Sequence, residues 1–495
     1  MGLPNRPKQR MNPLIPSRIC GLLSAVVFSA SALAGESSAK HPNIIYLFAD
    51  QLRACSTGYD GDPNARTPNI DALAMESVNF HNAVSVCPVC TPHRAALITG
   101  RFPTTTGMFV NDIHLPEREL CIAEVLKAVG YNTGYIGKWH LDGEGRLAYI
   151  PPARRQGFDY WKVAECDHNY NKSVYYTDDS NQKHYWNGYD AFDETKDAQQ
   201  YIRDHSKDAK PFVLFVSYGI PHFPHGTAPE EFNALFPPEK IKFRPNVPAD
   251  MQTKEVRVEA QGYNAHIAAL DKCIGEVMKT IADAGIKDDT IVVFSSDHGE
   301  MMGSHGVKPH TKQVAWDESA RVPFLLRYPK AQGSQGHVAM TPLTTPDVMP
   351  TLLSLAGVTI PKTVEGKDIS AVVRGQEMLE HNALYMAVSP FTSEKEWNKE
   401  YRAIRTDRYT YVRGLEGPWL LFDDVKDPYQ TNNLVNQTAL CQEMDKRLQA
   451  ELKAVHDDFR PAAFYVKKFG YKLAPSGSAG YAPGSKVQSP KSADE

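Results

Sequence analysis

Four apolar runs, each breaking off at ionisable side chains, constrain this chain more than any other feature. Asn43–Phe48 ends at Ala49-Asp50, and Asn132–Ile136 leads into Gly137-Lys138-Trp139-His140. Phe212–Val216 leads towards Pro221-His222, and Thr290–Phe294 into Ser295-Ser296-Asp297-His298. Continuous apolar runs of this length read as strands buried on both faces of a parallel sheet. Between them, residues 69–75, 122–128 and 258–284 carry apolar side chains at three- and four-residue spacing, with Gly130 and Gly285 placed as helix stops. Strands alternating with helices predict an α/β fold, a large mostly parallel sheet sandwiched by helices. Ligands of such sheets bind beyond the carboxyl ends of the strands. Asp50, Lys138, His140, His222, Asp297 and His298 are therefore expected on one rim.

The two ends of the chain read differently. Arg6, Lys8, Arg10 and Arg18 precede an apolar stretch, Ile19 to Phe28, and Ala32-Leu33-Ala34 supplies a small-residue cleavage pattern. Residues 1–34 are thus predicted to be a signal peptide, with export to the periplasm or the medium and no membrane attachment of the mature form; a retained anchor is the alternative. Residues 35–375 are expected to form the main α/β domain. Within it, 158–192 form an aromatic insertion over the rim, rich in Asp and Asn, whose rings either stack on a sugar or pack the loop. Residues 376–473 are expected to form a smaller antiparallel sheet plus a helix, and 474–495, rich in Gly, Ser, Pro and Lys, a disordered tail. The net charge of −4 gives no field for nucleic acid, so an anion would be caught by local cations. Of eight cysteines, Cys20 falls in the leader, and an odd number remains, widely scattered.

One of those cysteines carries the sharpest motif, Cys90-Thr91-Pro92-His93-Arg94 running on to Leu97-Ile98-Thr99-Gly100-Arg101. Pro92 suits the first turn of a helix, which puts Cys90 at the helix N-terminus, where backbone N–H groups favour an anion. Arg94 would project from the same turn as a bidentate donor to a tetrahedral oxyanion. Cys87-Pro88-Val89-Cys90 also has the spacing of a redox dithiol or of half a zinc site, but no second pair is present to complete the latter.

Cys-x-Pro-x-Arg followed by Leu-x-Thr-Gly-Arg resembles the formylglycine-dependent sulfatases of the alkaline-phosphatase-like superfamily, and the resemblance extends over residues 41 to 460. It implies that a dedicated maturase oxidises Cys90 to formylglycine. One hydroxyl of the aldehyde hydrate then attacks sulfur, and the other releases sulfate from the enzyme. It assigns Asp50, Gln51, Asp297 and His298, with the modified Cys90, to one divalent cation, Ca²⁺ first and Mg²⁺ second. Gln51 and His298 stand where many members carry Asp and Asn. Lys138, His140, His222 and Lys312 match positions that bind sulfate, position the diol or serve the leaving group. A sulfated glycan is the implied substrate, and the aromatic segment leans the reading towards a sulfated galactan such as carrageenan. Hydrolysis of phosphodiesters or phosphonate monoesters on the same fold, and a non-catalytic glycan-binding relative, are the other classes.

Overall fold

The computed structural model describes residues 41–474 except 379, 391–396 and 398, together with 477, 479, 488 and 491. The expected signal peptide and nearly all of the expected tail lie outside the described residues. The first strands are β1 (Asn43–Asp50), β2 (Val78–Phe80), β3 (Ala83–Val84) and β4 (Asn132–Lys138). After them come β5 (Tyr160–Ala164), β6 (Val174–Thr177), β7 (His184–Tyr185), β8 (Phe212–Pro221) and β9 (Thr290–Ser296). The remainder are β10 (Phe324–Arg327), β11 (His337–Ala339), β12 (Leu343–Thr344), β13 (Ala383–Ala387), β14 (Tyr401–Arg405), β15 (Tyr409–Gly414) and β16 (Gly417–Asp423). The longer helices are α1 (Pro68–Met75), α2 (Cys90–Thr99), α3 (Ile122–Ala128) and α4 (Asp190–His205), then α5 (Lys254–Asp283), α6 (Val348–Leu355), α7 (Thr438–Ala454) and α8 (Ala462–Phe469).

Ten strands form the main sheet in the order β11-β2-β10-β9-β1-β8-β4-β5-β6-β7. Its centre, from β9 through β1, β8 and β4 to β5, is parallel. The flanks are mixed, with β10 antiparallel to β9 and β2, and β6 antiparallel to β5 and β7. All of β1 is buried, and the two-residue alternation of a strand divides it between two layers. Ile44, Tyr46 and Phe48 join the core that contains α2, α3 and α6, whereas Ile45, Leu47 and Ala49 join the one that contains α1, α4 and α5. Each Ile, Leu or Phe among them contributes about 1.5–3 kcal/mol by leaving water, which explains why the run carries no charged residue before Asp50.

The four-stranded antiparallel sheet β13-β14-β15-β16 is the second element expected from the sequence. Leu384, Met386, Ile404, Tyr411 and Leu421 of this sheet share one apolar core with α2 and α7, so the two sheets are joined by packing. A main-chain bond from Met386 N–H to the Val86 carbonyl, 2.7 Å, fastens β13 beside the segment that leads to Cys90.

Residues 158–192 differ from the loop anticipated over the rim. They supply β5, β6 and β7 and extend the main sheet at its edge. Phe158, Trp161, Tyr170, Tyr176 and Trp186 are buried, and Trp161 lies edge-on to Trp139 at 5.2 Å. The pattern was opaque because bulky rings cover both faces of these strands, which erases the polar alternation of a half-buried strand.

Candidate active site

The ends of β1, β4, β8 and β9 do what their sequences foretell: they bring Asp50, Lys138, His222 and Asp297-His298 together around the first residue of α2, Cys90. Close approach of β4 and β8 depends on Gly137, which has φ +98°. A Cβ there would sit 2.1 Å from the Ser217 carbonyl oxygen. Only glycine fits both the conformation and the space, and it is this approach that places Lys138 beside β1.

The Cys90 Sγ is ringed by charge. It lies 3.8 Å from Asp50 Oδ1, 3.4 Å from His298 Nε2, 3.7 Å from Lys138 Nζ and 3.8 Å from Lys312 Nζ. Burial and the Asp50 carboxylate oppose ionisation of the thiol, but Lys138 and Lys312 outweigh them and hold it well below the usual cysteine range. Asp50 is likewise buried, and Lys138, 2.5 Å away, with His222 and Arg94, keeps its carboxyl well below the ordinary value. Cys87, three residues earlier, is driven up to about 12 by burial, so the two cysteines of the Cys-x-x-Cys are electrostatically opposite.

Arg94 is placed differently from the sulfate-binding donor read in the sequence. Its Nε and one terminal nitrogen donate to Asp297 Oδ2 at 3.2 and 3.0 Å, and the latter also reaches Asp50 Oδ2 at 3.1 Å. The other terminal nitrogen donates to the Lys138 carbonyl and to Ser217 Oγ, both at 2.8 Å. All five guanidinium donors are thus directed at protein acceptors, and the residue braces the two carboxylates from beneath.

The donor set fits a divalent metal. Ligand atoms of Asp50, Cys90, Asp297 and His298 all lie within 4.8 Å of one another, and all four residues are buried. His298 Nδ1 pairs with the Gly299 carbonyl at 3.0 Å, which assigns the proton to Nδ1 and leaves the Nε2 lone pair facing the carboxylates. Gln51 belongs to the same site. Its backbone is left-handed at φ +69°, its Oε1 accepts from Lys312 Nζ at 3.1 Å, and its Nε2 donates to Glu300.

Other positions were read in part or missed. Lys312 Nζ donates to His222 Nε2 at 2.9 Å. His140 is paired with Asp112 Oδ1 at 2.9 Å. His168, which the sequence reading passed over, stacks on His222 with ring centroids 4.2 Å apart and has Nε2 3.4 Å from Lys138 Nζ. Glu300 was also missed; besides Gln51 it takes the backbone N–H groups of Met302 and His310. Its position two residues beyond His298 was the available signal. All seven described cysteines are free and buried, and among the described residues no helix is long and apolar enough to cross a membrane.

Comparison with known proteins agrees with this geometry. The sulfatase family model matches residues 42–358, and a model for the C-terminal part of N-sulphoglucosamine sulphohydrolase matches 303–458. An ulvan-active sulfatase of Formosa agariphila is 50% identical over 87% of this chain and 84% of its own length. An endo-4-O-sulfatase of Bacteroides thetaiotaomicron is 30% identical over 85% of this chain and 93% of its own. A solved putative sulfatase from Bacteroides fragilis superposes with a TM-score of 0.76 at 31% identity, covering 88% of this chain and 98% of that one. With its α/β core, its small antiparallel sheet and its Cys90-centred rim, the chain belongs to the sulfatase family of sulfate-ester hydrolases.

Proposed function

We propose that this protein removes sulfate from a sulfated polysaccharide at the Cys90 site. The observation that carries the reading is the pair of lysine ammonium groups, Lys138 and Lys312, held 3.7 and 3.8 Å from one sulfur above a buried carboxylate pair. A tetrahedral sulfate gathers negative charge on its oxygens as its ester bond breaks, and fixed ammonium groups in a dry site lower that barrier. Converted to formylglycine, position 90 would supply a hydroxyl nucleophile that no ordinary side chain offers. Asp50, Asp297 and His298 would hold the divalent cation, which supplies Lewis-acid polarisation; the two carboxylates favour Ca²⁺, with Mg²⁺ second.

The remaining groups divide the work. Arg94 keeps Asp50 and Asp297 oriented, and Gln51 accepts from Lys312 alongside His222. Lys312 and His222 share a hydrogen bond, so a proton is held beside Cys90 for the departing sugar oxygen. His140, fixed by Asp112, lines the same wall and positions the nucleophile.

For the substrate class, the ulvan-active relative at 50% identity supports a sulfated polysaccharide such as ulvan. The carrageenan reading rested on the aromatic segment, whose rings are mostly buried, so it loses its support. A signal peptide at 1–34 and a formylglycine-forming maturase belong to the same proposal.

One pair of measurements tests it. The peptide carrying Cys90, taken from the native host, should be about 18 Da lighter than its cysteine form, the change from thiol to aldehyde that creates the nucleophile. The same preparation should release sulfate from ulvan, and Cys90→Ala should not. An unmodified cysteine in an active preparation would overturn the nucleophile; a modified protein inert on every sulfated polysaccharide would overturn the substrate class.

A further inference from the structure

Beside the catalytic rim lies a second convergence of metal-ligating side chains that the proposed reaction does not use. His225 opens a short turn after β8, Glu259 sits in the second turn of α5, and His310 lies on the loop that carries Lys312. His225 Nδ1 and His310 Nε2 meet the same carboxylate oxygen, Glu259 Oε2, at 2.7 and 2.9 Å. The three ligand atoms all lie within 4.8 Å of one another. His225 is buried, whereas the His310 side chain is 40% exposed, so the group is open on one side only.

We infer that His225, Glu259 and His310 form a second metal site, selective for a borderline transition ion of the Zn²⁺ or Co²⁺ class. Three elements remote in sequence deliver one oxygen and two imidazole nitrogens, a donor set in which nitrogen predominates and which suits zinc-like ions better than Ca²⁺ or Mg²⁺. His310 adopts φ +70°, a left-handed backbone that histidine tolerates better than most residues, and its ring meets Glu259. Phe223 stacks on the other face of that ring, centroids 4.5 Å apart, and holds it in place. An ion here would fasten the Lys312 loop to α5. The site is separate from the buried Asp50, Cys90, Asp297 and His298 quartet and shares no residue with it.

The test uses the full-length protein, stripped with chelator and returned to excess Ca²⁺ so that the Asp50–Asp297 site is filled. Co²⁺ is then titrated in while its visible absorption is read, and Zn²⁺ is titrated by calorimetry. Wild type should take up one Co²⁺ per chain, and Asp297→Asn should do the same, because the quartet is not involved. His310→Ala and Glu259→Gln should bind roughly tenfold more weakly or not at all, with thermal melts showing that both are folded. No uptake by wild type, undiminished uptake by both variants, or loss confined to Asp297→Asn would overturn the assignment.

Discussion

Lys312 and His222 face each other as a cation and a neutral ring, Nζ to Nε2 at 2.9 Å. His222 Nδ1 pairs with the Phe223 carbonyl at 2.7 Å, so Nε2 is the acceptor. Burial first, and then the Lys312 charge, press the His222 pKa well below the usual histidine value. Replacing Lys312 by Met should therefore do two things. Sulfate release should fall by about 10²–10³-fold, the loss typical of one transition-state donor. His222 should also become easier to protonate, so the acid limb of the kcat/KM profile should move to higher pH than in wild type. A variant that is slow but keeps the wild-type profile would separate the two residues.

Arg94 makes a different forecast from the lysines. Its donors end on protein groups, so Arg94→Met should leave the buried Asp50 and Asp297 without their brace. Removing one partner of a buried ion pair costs about 3–5 kcal/mol, and urea unfolding should show a loss of that size together with the loss of activity. A pure sulfate-binding role would cost activity with stability intact.

Chelation should abolish sulfate release, and added Ca²⁺ should restore it. The carboxylates of Asp50 and Asp297 converge on one point, so the stripped protein should also melt at a lower temperature. Recovery with Zn²⁺ but not Ca²⁺ would reassign the ion at the rim.

The pH dependence of stability should bear the mark of Asp190, at the start of α4. Burial raises its carboxyl from 3.8 to about 7, against the hydrogen bond from the Ala191 N–H that favours its charged form. Glu194, one turn later, is also buried and also raised, by burial and by Asp190. A raised acid favours the folded state while it is protonated, so its contribution is full below about pH 4 and is lost as pH climbs towards about 7. Asp190→Asn should close that loss. Denaturant unfolding at pH 4 and pH 8 should show the variant gaining on wild type at pH 8, by a few kcal/mol at most.

What was legible beforehand followed from periodicity. Asp50, Lys138, His222 and Asp297-His298 could be placed on one rim because each follows an apolar run, and Cys90 at a helix N-terminus because Pro92 marks a helix start. His168, Asp112 and Glu300 could not, since a single polar residue in an irregular segment carries no period. The bracing role of Arg94 was hidden for another reason: its acceptors come from four separate stretches, at 50, 138, 217 and 297, and only the assembled sheet brings them to one guanidinium. Strands β2 and β10, with three and four residues, were too short to announce themselves.

Every residue of α2 is buried, and Cys90 itself is 1% exposed. That burial sets a clock. An enzyme that oxidises this thiol needs the surrounding chain in its own cleft, and the finished protein offers nothing to grasp. If position 90 is oxidised as proposed, the conversion would come before β1, β4 and β9 close around the helix. On that reading, a molecule that folds first would keep its thiol, and the fraction of unmodified Cys90 in a preparation would record how often folding outran the oxidation.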